Sequence, residues 1–179
     1  MNAIICIEGP NAVGKSIFAR RLARRCMMDQ YEMYHHCNAT SIAKEWSRPY
    51  DAVIEYLSLY NLWQSDVRIV LDRGLVSWCM YNSVEDQSIE FISEMVALMR
   101  KWDYAKIVYM FGSTGEIMRR SAGRGEVLAP SEVDNELREY ELLMKNIPSE
   151  FIKYVNVDQM DDTYAIDDIC ECLFRGIGD

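Results

Sequence analysis

"IICIEGPNAVGKS", Ile4–Ser16, is the stretch on which the reading turns. Ala3 to Glu8 is an apolar run closing on a carboxylate, the pattern of a strand buried on both faces. Residues 14–28 predict a helix, with Ile17, Phe18, Leu22 and Cys26 near helical spacing. Between them lies Gly9-Pro10-Asn11-Ala12-Val13-Gly14-Lys15-Ser16. Glycines at both ends of that turn permit backbone conformations that a β-carbon obstructs, so successive amides can face one anion. The positive end of the following helix points the same way.

The spacing Gly9-x-x-x-x-Gly14-Lys15-Ser16 matches the P-loop pattern, in the strand-before, helix-after context that gives the pattern its meaning. Lys15 is then the side chain that reaches the outer phosphates of a nucleotide, and Ser16 the hydroxyl for magnesium. Farther along, Tyr31 to His36 reads as a short strand, and residues 40–64 as an aromatic helical stretch interrupted at Ser47 to Pro49. Val67 to Asp72 and Lys106 to Phe111 read as buried strands, with a helix over 86–101 between them. A short helix bearing Arg119 and Arg120 runs into "SAGRGE"; Ser131 opens another helix, "FIKYVNVD" forms the last strand and residues 163–174 the last helix. Strands alternating with helices predict a parallel sheet covered on both faces, in one α/β domain spanning 1–179.

The 179 residues are 50% hydrophobic, enough for a real core, and no apolar run is long enough to span a bilayer. With no signal peptide visible, a cytoplasmic setting with six reduced cysteines is the expectation. Cys170 and Cys172, two apart on a helix, point to different faces and offer no metal site. A net charge of -9 weighs against non-specific nucleic-acid binding, since each phosphate contact needs a cation. Arg20, Arg21, Arg24 and Arg25 have the spacing of a solvated helix face.

Two further groups suit phosphate chemistry. Asp72 ends an apolar strand, which puts a carboxylate at the sheet edge where ligands bind in such folds. It can orient magnesium or accept a proton from an attacking hydroxyl, and a cap on the next turn is the structural alternative. Arg73 adds a cation at the same rim. Arg119, Arg120 and Arg124 surround Gly123 and Gly125, which suits a lid over about 119–130 that closes on a phosphoryl group; a solvated loop is the alternative.

"IEGPNAVGKS", "VLDRG" and the arginine segment followed by "ELREYELL" resemble the thymidylate kinase and deoxynucleoside kinase group of P-loop kinases. The resemblance implies a three-layer fold with a five-stranded parallel sheet in the order 2-3-1-4-5, ATP as donor, magnesium, and in-line transfer to a nucleoside or nucleotide. It makes Gly9, Asn11, Ala12, Val13, Gly14, Lys15, Ser16 and Ile17, with Arg120, the ATP-binding set. Lys15, Asp72, Arg73, Arg120 and Arg124 become the catalytic set, Ser16 and Asp72 the magnesium ligands, and Val157 to Asp162 the segment beside the base. Pairing through the helices that flank the sheet makes a homodimer the corresponding expectation.

The departures concern the acceptor. Deoxynucleoside kinases carry a Glu after the second strand and thymidylate kinases an Arg-Glu-Pro run; this chain has "YHHCNAT", with no carboxylate, leaving Asp72 as the base. Of His35 and His36 only one can face a cleft. A monophosphate acceptor needs a cation, from Arg48 or Arg73, while Trp46, Tyr50, Tyr56, Tyr60 and Trp63 are either base-stacking residues or helix core. Three functions therefore stand open: a kinase of deoxynucleosides or their monophosphates; a relative of viral kinases that phosphorylate 5-hydroxymethyluracil within DNA; and a nucleotide-dependent switch or NTPase.

Overall fold

A computed structural model describes residues 2–28, 34–37, 61, 64, 68–82, 85–159 and 162–175. The elements run β1 (Ala3–Glu8), α1 (Lys15–Met28), β2 (Tyr34–Cys37), β3 (Arg68–Asp72), α2 (Leu75–Asn82), α3 (Glu85–Met99) and β4 (Tyr104–Phe111). They continue with α4 (Thr114–Ala122), α5 (Pro130–Met144), a 3-10 turn (Ser149–Phe151), β5 (Ile152–Asn156) and α6 (Asp162–Arg175). The strands form one parallel sheet ordered β2-β3-β1-β4-β5.

Alternation along β1 explains the layers. Ile4 and Cys6 face one side, packing with Ile92 and Met95 of α3 and Val76 of α2. Ala3, Ile5 and Ile7 face the other, packing with Phe18 and Leu22 of α1 and Ile166 and Ile169 of α6. Ile5, Ile7, Phe18, Leu22 and Ile92 are fully buried, each such side chain being worth about 1.5–3 kcal/mol when withdrawn from water. Parallel register brings Ile7 beside Asp72 and Glu8 beside Tyr109, so the carboxyl ends of β1, β3 and β4 share one edge, where the site lies.

Several expectations need correction. Residues 75–82 form α2, which periodicity missed because "LVSWCMYN" carries no polar face to set a helical period. The expected helix at 86–101 is Glu85–Met99. Pro130 lies inside α5 rather than before it, at a first-turn position where its missing N–H has no helical partner to lose. Ile17 does not join Phe18, Leu22 and Cys26 in the core; it is exposed. Strand β2 covers the second half of the expected 31–36 segment. The aromatic stretch with Trp46, Arg48, Tyr50, Tyr56, Tyr60 and Trp63, and the side chains of His35 and His36, lie outside the described residues. Cys6, Cys26, Cys79 and Cys170 are buried thiols, with the sulfurs of Cys26 and Cys170 3.6 Å apart. Among the described residues no helix is long and apolar enough to cross a membrane, and no cluster of three His, Cys, Asp or Glu side chains is placed to hold a metal by itself.

Candidate functional site

The turn from β1 into α1 is bent by positive φ angles at Gly9 (139°), Ala12 (62°) and Gly14 (110°). At Gly9 the bend brings the chain against β4: a β-carbon there would lie 2.1 Å from the Met110 carbonyl oxygen. Only glycine fits. Ala12 holds a left-handed conformation that costs an ordinary residue about 1–2 kcal/mol, so the surrounding packing over-determines the loop.

Lys15 opens α1, and its ammonium folds back to donate to the Pro10 carbonyl at 2.5 Å. Burial, reinforced by the charge of Arg73, holds it well below the ordinary lysine range, while Glu136, Asp72 and Glu8 pull the other way. The charges of three carboxylates thus act on this buried lysine. Ser16 is half-buried one residue on, its carbonyl accepting from the Arg20 Nε at 3.0 Å.

Asp72 is fully buried at the end of β3 and Arg73 nearly so. Arg73 takes a positive φ of 75° that turns the chain sharply toward the loop, its amide donating to the Ile7 carbonyl at 3.0 Å. Its guanidinium donates to the Asn11 side-chain oxygen at 2.6 Å, the Tyr140 hydroxyl at 3.3 Å and the Ser77 hydroxyl at 3.4 Å. The turn is anchored from beneath by Glu8, which sequence reading passed over as the end of a strand. Its carboxylate accepts from the amides of Gly74 (2.9 Å) and Ser77 (3.2 Å) and from the Ser77 hydroxyl. Burial raises its pKa, opposed by the Ser77 hydrogen bond and Arg73. A polar residue closing an apolar strand just before a glycine was the available signal.

Helix α4 contributes Arg120. Its guanidinium donates to the Val13 carbonyl of the loop at 2.9 Å and to the Val157 carbonyl at 3.2 Å, with Glu116 holding its Nε at 2.7 Å. One arginine thus spans the loop and the 157–159 turn, which Asp158 in turn fastens to the Ser113 amide at 2.7 Å. Glu116 also binds Arg119, and the two arginines lower its pKa to about 2. Arg124 is not gathered in: it is exposed in the 123–125 turn, and its side chain makes no hydrogen bond or ion pair among the described residues.

Helix α5 supplies a residue that spacing did not flag. Glu136 accepts from the backbone amide of Asn11 at 2.9 Å and from its side-chain amide at 3.1 Å. Beside this contact is a cavity of about 390 Å³ whose lining includes Asn11, Met80, Glu132, Glu136 and Glu139. The loop, Lys15, Arg73 and Arg120 together offer amides and cations to a phosphate chain, while carboxylates line the adjoining space.

No family model matches the chain, and no curated protein matches its sequence. Solved structures do. The YorR protein from Bacillus subtilis, crystallised with phosphorylated GDP, superposes with a TM-score of 0.71 at 20% identity, covering 96% of this chain and 95% of that one. Deoxyadenosine kinase from M. mycoides, with the products dCMP and dCDP, gives 0.62 at 15% identity, covering 96% and 99%. The same enzyme with dCTP gives 0.59 at 16%, again covering 96% and 99%. These likenesses run nearly end to end on both chains, and they show that this chain shares the fold of these proteins.

Proposed function

We propose that the protein is a magnesium-dependent phosphotransferase that moves the terminal phosphate of ATP to a deoxynucleoside or deoxynucleoside monophosphate. The observation that carries this reading is the convergence of Lys15, Arg73 and Arg120 on one glycine-bent loop at the carboxyl edge of the sheet. In-line phosphoryl transfer asks chiefly for positioned cations and amides, and these supply them. The segment around 119–130 acts as a lid, Arg120 holding its near end on the loop and Arg124 free to swing onto a bound phosphate. The fold likeness to a deoxyadenosine kinase supports a nucleoside or nucleotide acceptor.

Magnesium fits the donor set. Asp72 is a fully buried carboxylate whose charge reaches Lys15, and Ser16 adds a hydroxyl at the start of α1. A hard cation of this size is held by one or two such oxygens together with substrate phosphates, which suits a site without a protein cage. When bound, it would offset charge on the outer phosphates. The chain's own groups bind and orient the donor: the loop amides and Lys15 grip it, and Arg73 is held in line by Asn11, Ser77 and Tyr140.

A transfer screen with γ-labelled ATP across nucleosides, their monophosphates and DNA containing 5-hydroxymethyluracil tests the reading. Label on a nucleoside or monophosphate supports it. Label on the DNA alone would replace it with a DNA-base kinase, although Glu132, Glu136 and Glu139 put negative charge beside the loop, where a polyanion is disfavoured. Asp72→Asn should abolish transfer while ATP binding survives; normal turnover would refute the role given to Asp72.

A further inference from the structure

We infer that Glu136 is the base that takes the proton from the hydroxyl of a nucleoside acceptor, an inference that rests on the phosphotransferase reading above in its nucleoside form. A base for this reaction must reach the acceptor hydroxyl, which stands in line with the outer phosphate, so it must lie beside the loop and line the space open to an acceptor. Asp72 is 0% exposed and does not line the cavity beside the loop. Glu136 meets both conditions. Its carboxylate is bonded to the loop through Asn11 and also lines that cavity. Its charge also acts on Lys15, the side chain that serves the outer phosphates in such loops.

The neighbours fix its aim. Asn11 is clamped on its other side by Arg73, so Asn11 presents its backbone and side-chain amides to Glu136. Glu136 is carried on α5, whose Val133 and Tyr140 are buried one turn before and after it. An outer phosphate oxygen of the donor competes for the Asn11 amide and turns the carboxylate toward the cavity, where an acceptor would stand. Glu132 and Glu139 line the same cavity but make no bond to the loop among the described residues.

The step balances simply. The acceptor O–H proton passes to a Glu136 oxygen as the acceptor oxygen bonds to the terminal phosphorus. The bond from that phosphorus to the bridging oxygen breaks, its electron pair stays with the diphosphate, and Glu136 later returns the proton to water.

The test uses the full chain with Glu136→Ala and Glu136→Asp, the best nucleoside acceptor from the screen, and formate as a diffusible base. Glu136→Ala should lower kcat about 100- to 10,000-fold, the span of general-base contributions. Its ATP affinity should hold or tighten, because a competitor for the Asn11 amide is gone. Formate should restore at least about tenfold of the lost rate, and Glu136→Asp should retain part of it. A structural role would not respond to formate. A kcat within about threefold of wild type, ATP affinity falling in step with kcat, or no response to formate would each overturn the inference. Label on monophosphates but on no nucleoside would overturn the inference and leave the phosphotransferase reading standing, whereas wild type that hydrolyses ATP but labels no acceptor would overturn both.

Discussion

Gly9→Ala probes the loop geometry at its tightest point. The added β-carbon would stand 2.1 Å from the Met110 carbonyl oxygen, where real contacts essentially never fall below 3.0 Å. Either β4 or the loop must therefore retreat by about 0.9 Å, at a seam flanked by the buried side chains of Ile7 and Met110. Overpacking of this kind costs about 1–3 kcal/mol. The φ of 139° at Gly9 adds a backbone penalty of about 1–3 kcal/mol for a residue with a side chain. The sum, about 2–6 kcal/mol, is a large share of the 5–15 kcal/mol that about typifies a domain. At about 2–4 °C per kcal/mol for a chain of this size, melting should fall by on the order of 10 °C. Circular dichroism melts and calorimetric ATP titration read both consequences: a lower midpoint, and binding weakened because the loop amides have moved. A variant that melts within about 1 °C of wild type and binds ATP equally well would refute the reasoning.

Other perturbations follow from the charges. Lys15 has a folded pKa well below its ordinary 10.5, so burying it charged costs stability at neutral pH, and the cost fades as pH rises toward that value. Lys15→Met should therefore melt higher than wild type near pH 7, with a gap that narrows as pH rises toward 10.5, while ATP binding is lost; a lower melt would contradict this. Glu116, depressed from 4.5 to about 2, contributes stability above its unfolded value that is lost as pH falls through about 2. An NMR titration should find that midpoint, and Glu116→Gln should flatten the acid loss of α4; a midpoint near 4.5 would remove the Arg119 and Arg120 clamp from the account. Arg73→Lys keeps the charge but not the fork that joins Asn11, Ser77 and Tyr140. It should cut transfer about tenfold or more with the fold intact by circular dichroism, and unchanged transfer would show the fork to be dispensable.

The glycine-bent loop was legible because glycine spacing and a buried strand are local signals, and β1 falls at Ala3–Glu8 where the apolar run lies. The parallel α/β character followed from alternation of strands and helices. Helix α2 was not legible, since an apolar segment buried by its neighbours shows no period of its own. Arg120 could be named from its place near a glycine turn, but not its grip on Val13 and Val157, which lie 107 and 37 residues away along the chain. Arg124 stood in the same motif and carries no such grip, because motif reading cannot tell which side of a turn a side chain takes. Glu8 and Glu136 were missed for different reasons: one looked like a strand end, the other like one of many acids on α5. Their roles arise only when the sheet edge brings Ser77, Asn11 and Arg73 together.

Single-turnover partition of γ-labelled ATP tests the central claim most directly. With excess enzyme and a nucleoside or monophosphate acceptor, the label should leave ATP for the acceptor, and inorganic phosphate should stay at background. Label released only as inorganic phosphate, with every acceptor unlabelled, would contradict the claim that this loop and its arginines pass a phosphoryl group from one molecule to another.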